Sequence, residues 1–244
     1  DFMDCLHRVA EFLELTLTDA AEDVEVFTLG DLSFSERLQA TELFSAEELE
    51  TVLRQVASSE SYFIPRIPLV YLANLSINHV SEEATHFLKH LCVAAELPTD
   101  PIDRFYANTL HEAIGFFGSK VINHKRKAAT EIDFRYMLTH SADVGPLEQR
   151  IALLVLAHKA FERGIEPDNF DRMYALDQDT FVGLTHVLGY MLGEKLYYAM
   201  VSDLIPKNEI RALFFESFLE PGRAREIYFQ FTRQAAPARL PERV

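Results

Sequence analysis

His79, Glu83, His86 and His90, in the run INHVSEEATHFLKHL, stand four, three and four residues apart. At 3.6 residues per turn these positions fall within an arc of roughly 60° on one helix face. Three imidazoles and a carboxylate on one face suit Fe, Zn or Mn better than Ca, which takes oxygen ligands alone. Glu83 and His86 also form an ExxH, the element by which di-iron carboxylate bundles bring two ligands to one ion from a single helix. Those bundles need a second ExxH and two further glutamates. The nearest second match, Asp4-Cys5-Leu6-His7, carries the shorter carboxylate, so a di-iron oxidase ranks third among the readings. The plain alternative is a stripe of polar side chains, at the border of core and water, that hydrogen-bond to neighbouring helices.

Two other groups could join this chemistry. His111 and Glu112 lie on the following helix, and consecutive helices usually pack together, so one of them could complete a site with His86 or His90; the plainer alternative is that His111 caps a polar face and Glu112 is solvated. The stretch reads HEAIG rather than HExxH, which gives no support to a zincin protease. Further on, His186, Tyr190, Gly193 and Tyr197 share a helix face, with Gly183 and Gly189 removing bulk nearby. Glycine inside a helix costs about 1 kcal/mol relative to alanine, so three of them imply close approach of another helix or of a flat cofactor. If haem binds, His186 is the expected axial ligand and Tyr190 and Tyr197 its walls. Lys120, ahead of His124, Lys125, Arg126 and Lys127, is the expected cation for a phosphate, a propionate or an acidic partner; the alternative is a solvated basic loop. GxSxG, GxGxxG and GxxxxGK[ST] are all absent, which removes serine hydrolases and Gly-rich nucleotide loops.

Thirty-eight acidic against 23 basic residues give a formal charge of −15, the opposite of a nucleic-acid binder's footprint. An anionic membrane surface repels such a chain, and no apolar run has the length of a membrane span. Cys5 and Cys92, the two cysteines, predict no disulfide framework, and a cytoplasmic location is expected. A start at Asp1, inside an amphipathic stretch, predicts a fragment or a processed form.

The elements that must position these groups are read from periodicity and punctuation. Phe2, Cys5, Leu6, Val9, Phe12 and Leu13 keep a helical period, and Ser45 with Glu48 forms a capping box. An apolar segment from Pro68 to about Glu96, free of Gly and inner Pro, predicts one long central helix carrying the stripe, with Glu82, Thr85 and Lys89 on its solvent side. Residues 103–117 predict a helix closed by Gly118. A short helix is expected near 131–138 and further helices over 147–163 and 168–176, with His158 and Glu162 forming a surface pair. Asp177 is the expected N-cap of a long helix, and Pro206 and Pro221 start the last two. The fold class is therefore all-α, an irregular bundle of about eight to ten helices with at most one short β-hairpin near residues 24–29. One domain is expected over 1–234, comprising an N-terminal subregion 1–64 and a main bundle 65–234, before a disordered tail 235–244.

Taken together, SSESYFIPRIPLVYLANLSINHVSEEATHFL, GFFGSKVINHKRK, THVLGYMLGEKLYYAMVS and EIRALFFESF make the chain resemble the C-terminal helical region that follows a ChaN-like domain in some bacterial proteins. The resemblance implies a bacterial helical module attached to a haem- or iron-uptake domain, itself not within these residues, so none of that domain's ligands transfers to a position here. The leading expectation is a helical domain binding a transition metal or haem through His79, Glu83, His86 and His90, with His111, Glu112 or His186 as supplementary ligands. The alternative is a ligand-free helical interaction module that docks an adjoining ChaN-like domain or another protein partner.

Overall fold

The computed structural model describes residues 2–17, 23–31, 33–64, 67–92, 98–129, 155, 161, 178–216 and 222–234. Most of these residues are helical, with one small sheet. The helices expected near 131–138, 147–163 and 168–176 lie outside the described residues, apart from Val155 and Phe161. The His158–Glu162 pair and the tail 235–244 lie outside them as well. The chain forms two compact units, Asp1–Cys92 and Val93–Val244. The strand that follows residue 64 pairs with two strands that both precede it in the chain.

In the first unit, α1 (Phe2–Phe12) buries Phe2, Cys5, Leu6, Val9 and Ala10, the apolar face that the periodicity predicts, and packs on α4 (Ile77–Cys92). Phe2 meets Phe87 edge-on at 5.8 Å between ring centroids, and Cys5 is a buried free thiol. The strands are β1 (Glu25–Thr28), β2 (Ser61–Ile64) and β3 (Leu69–Leu72), in the order β1-β3-β2. β2 and β3 form an antiparallel hairpin in which Tyr62 faces Tyr71, and β1 adds in parallel to the other edge of β3, with Phe27 beside Tyr71. This corrects two expectations. The segment 24–29 supplies one strand of a mixed three-stranded sheet, not a hairpin. The long helix expected from Pro68 is a strand followed by a helix that starts nine residues later.

The physical reason lies in Leu69-Val70-Tyr71-Leu72. A short apolar run looks alike in a buried strand and a buried helix, and here all four residues are buried, as in a central strand covered on both faces. Leu69 and Tyr71 join Phe27, Ile64 and the residues Phe34, Leu38, Val52 and Val56 of α2 (Ser33–Ala40) and α3 (Ala46–Ser58). From the opposite face of the sheet, Phe63 reaches Phe87 of α4 at 5.8 Å. The predicted capping box at Ser45 forms: its hydroxyl accepts from the Glu48 N–H, and the Glu48 carboxylate accepts from the Ser45 N–H at 2.8 Å.

Glu82, Thr85 and Lys89, expected on the solvent side of α4, are buried. A helical wheel with one covered face misassigns a helix that is covered on more than one.

The second unit is organised on α5 (Pro101–Ile122), against which α6 (Gln178–Val201), α7 (Lys207–Glu216) and α8 (Arg223–Gln234) pack. Asp100 caps α5 by accepting the Asp103 N–H at 3.0 Å. The helix runs through Gly118 to Ile122 instead of ending there, because the segment carries apolar residues all round, the pattern of a helix enclosed by others. Among the described residues no helix is long and apolar enough to cross a membrane.

Candidate functional site

The stripe lies on α4 as its spacing predicts, and the fold gives its two ends different surroundings. At the head, His79 Nδ1 is 3.8 Å from Glu83 Oε1, one turn on, and 3.8 Å from Glu60 Oε2. Glu60 stands immediately before β2, where its carbonyl accepts the Ala73 N–H across the open end of the hairpin at 2.8 Å. Its carboxylate also accepts from Asn74 Nδ2 at 3.1 Å. His79 and Glu83 are largely buried, with side chains 16% and 13% exposed, whereas Glu60 is 55% exposed, so this group opens to solvent on the Glu60 side. His79 Nε2 is buried and has no hydrogen-bond partner among the described residues.

At the tail of the stripe, His86 is buried and His90 is exposed, its ring 6.3 Å from that of Phe63. Although part of the residue reaches solvent, surrounding protein desolvates the His90 ring, and with the nearby charges of His86 and Lys89 this pushes its pKa down to about 4. A base whose folded pKa lies below its unfolded value is neutral in the fold, and the unfolded chain binds the extra proton. His90 therefore costs stability as pH falls from about 6.5 through about 4, and none above that window. An NMR titration of the ring protons should find His90 unchanged down to about pH 5, with a midpoint near 4; a midpoint near 6.5 would refute this environment.

The other candidates belong to the second unit. Glu112 does not stand solvated on α5: its Oε2 lies 3.0 Å from His186 Nδ1 of α6, and both side chains are about three-quarters buried. His111, beside it, is half-buried. The His186 ring stacks on Tyr190 at 4.2 Å, Tyr190 packs against Phe116 at 4.8 Å, and Tyr197 lies 6.3 Å from Phe117.

The close approach that the glycines imply is made by α5. A Cβ on Gly189 would fall 2.3 Å from Glu112 Cβ and 2.8 Å from Thr109 O, and one on Gly193 would fall 2.4 Å from Ala113 O. Backbone occupies the space that a flat cofactor would need at these two glycines.

Of the basic run, His124, Lys125 and Lys127 are exposed, while Lys120 and Arg126 are buried. Lys120 Nζ donates to the Arg126 carbonyl at 2.7 Å and pairs with Glu194 Oε1 at 3.6 Å. Burial lowers the Lys120 pKa, and Glu194 partly opposes that shift. Glu194 Oε2 accepts the Ala129 N–H at 3.1 Å, and the Arg126 guanidinium lies over Phe116 at 4.2 Å and Tyr190 at 5.2 Å. This network fastens the turn after α5 onto α6.

Sequence reasoning missed Glu60, Asn74, Glu194 and the inward turn of Arg126. Asn74 carried a readable signal, since Asn-Leu-Ser before a periodic run is a helix-start pattern. Glu60 carried none, because only the register of the β2–β3 hairpin brings it beside His79. No family model, no curated protein and no solved structure matches this chain.

Proposed function

We propose that the first unit binds a divalent transition-metal ion at the head of the α4 stripe, through His79, Glu83 and Glu60. The observation that carries this reading is one imidazole nitrogen with a carboxylate from the next helical turn and another from the sheet, each at 3.8 Å. Ligands bonded to Zn at about 2.1 Å stand roughly 3.4 Å apart around a tetrahedral ion, close to the 3.8 Å that separates His79 Nδ1 from each carboxylate, and closing the set requires the exposed Glu60 carboxylate to move toward Glu83. Imidazole with carboxylates suits Zn, Fe or Mn, and the exposure of Glu60 leaves a path for the ion and a coordination position for water. His86 and His90 extend the same face, and His90 stays neutral, hence able to ligate, well below neutral pH. The Glu112–His186 pair offers a further imidazole and carboxylate in the second unit. A bare ion is favoured over haem, because α5 fills the glycine gap beside His186 and Tyr190. The resemblance to ChaN-associated helical regions puts iron among the ions to try first.

The test is calorimetric titration of Zn(II), and of Fe(II) without oxygen, into metal-free protein, with elemental analysis for stoichiometry. One ion per chain is expected at this site. His79→Ala should weaken binding at least about 30-fold, roughly 2 kcal/mol, with helix content unchanged. Wild-type protein that takes up no ion, or a His79→Ala variant that binds as wild type does, would remove the proposal.

A further inference from the structure

The hydrogen bonds around Asn74 form a relay that ties one ligand of the proposed ion site to the helix carrying the other two. Asn74 Oδ1 accepts the Ser76 N–H at 3.0 Å, which fixes the amide's orientation and leaves Nδ2 to donate to Glu60 Oε2 at 3.1 Å. Ser76 in turn opens α4: its hydroxyl accepts the His79 N–H at 3.4 Å, and its carbonyl accepts the Val80 N–H at 2.9 Å. Glu60 is anchored from the other side by the Ala73 N–H. A single side chain thus touches both the sheet-borne carboxylate and the cap of the helix that holds His79 and Glu83.

Resting on the ion site proposed above, we infer that Asn74 is its positioning residue and that ion occupancy tightens the junction between the hairpin and the first turn of α4. An ion that draws Glu60 toward His79 pulls on both ends of this relay. The amide is one of the groups that hold the half-exposed Glu60 carboxylate on the side facing His79. Outer-shell groups that orient a ligand typically contribute 10- to 100-fold to metal affinity.

Asn74→Asp separates positioning from structure. It keeps an oxygen for the Ser76 N–H, so the helix cap survives, but it sets a second carboxylate against Glu60 in place of a donor. Zn(II) titration should give a dissociation constant about 10- to 100-fold higher in Asn74→Asp than in wild type, with an unchanged circular dichroism spectrum. Hydrogen exchange followed by NMR should show the Ser76 to Val80 amides slowing on Zn(II) saturation in wild type, and slowing less in Asn74→Asp at equal saturation. Equal affinities, or exchange at these amides that Zn(II) does not change in wild type, would overturn the positioning role while leaving the ion site standing. A wild-type protein that binds no Zn(II) would overturn both.

Discussion

Replacing Gly193 with alanine should destabilise the second unit by about 3 kcal/mol or more, although the same change in an open helix is stabilising by about 1 kcal/mol. The new methyl would sit 2.4 Å from the Ala113 carbonyl oxygen and 3.2 Å from its carbonyl carbon. These are backbone atoms of a 22-residue helix, and no rotamer change moves them. The two helices must part instead, and parting opens gaps along Phe116, Tyr190, Leu192 and Leu196, all buried at or beside the crossing. In a unit of this size the penalty corresponds to a fall in melting temperature of about 6–12 °C. Truncating the facing residue with Ala113→Gly should bring no rescue, since the side chain of Ala113 is not what the methyl strikes. Calorimetry of Gly193→Ala alone and with Ala113→Gly decides the matter: a raised melting temperature in the single variant would show that α5 does not approach this closely.

Glu194→Ala should cost about 3 kcal/mol by leaving the Lys120 ammonium buried beside Arg126 with its counter-ion gone. It also removes the acceptor for the Ala129 N–H, so the turn after α5 loses a second tie. The double change Lys120→Met with Glu194→Leu, which removes both charges and keeps volume, should cost much less, because removing one partner strands a charge and removing both does not. The pH dependence identifies the cause. Desolvation already lowers the Lys120 pKa, and loss of Glu194 lowers it further, so more protons are bound by the unfolded chain than by the fold. Stability of Glu194→Ala should therefore recover as pH rises from 7 toward 10, where the amine becomes neutral. Urea unfolding of wild type, the single and the double variant at both ends of that range would test this; a deficit that does not shrink with pH would assign the loss to packing instead.

What the sequence made legible was local. The Ser45 capping box, the apolar face of α1, the stripe spacing on α4 and the glycine gap on α6 all depend on neighbours within two helical turns, and each appears where periodicity puts it. What it concealed was relational. Leu69 to Leu72 carries no alternation because both of its faces are covered, and the same coverage hides Lys89 and Glu82 from a one-sided wheel. Gly118 read as a stop because glycine punctuates exposed helices, yet enclosure on all sides overrode the propensity. The site divides the same way. His79 with Glu83 was visible as a four-residue repeat, Glu112 with His186 was visible only as two separate candidates, and Glu60 was invisible.

The parallel pairing of β1 with β3 sets an order of events during folding. Glu25 must wait for Leu69, and every residue of α2, α3 and β2 lies between them. Closing so long a loop is slow compared with forming a helix or a hairpin, so β2 and β3 should meet first, with β1 docking onto their finished edge. On a ribosome, β1 therefore emerges well before its partner and stays an unsatisfied strand until residue 72 has cleared the exit tunnel. During that interval Val24 to Leu29 is the segment of the first unit most open to capture by a chaperone or by a neighbouring nascent chain.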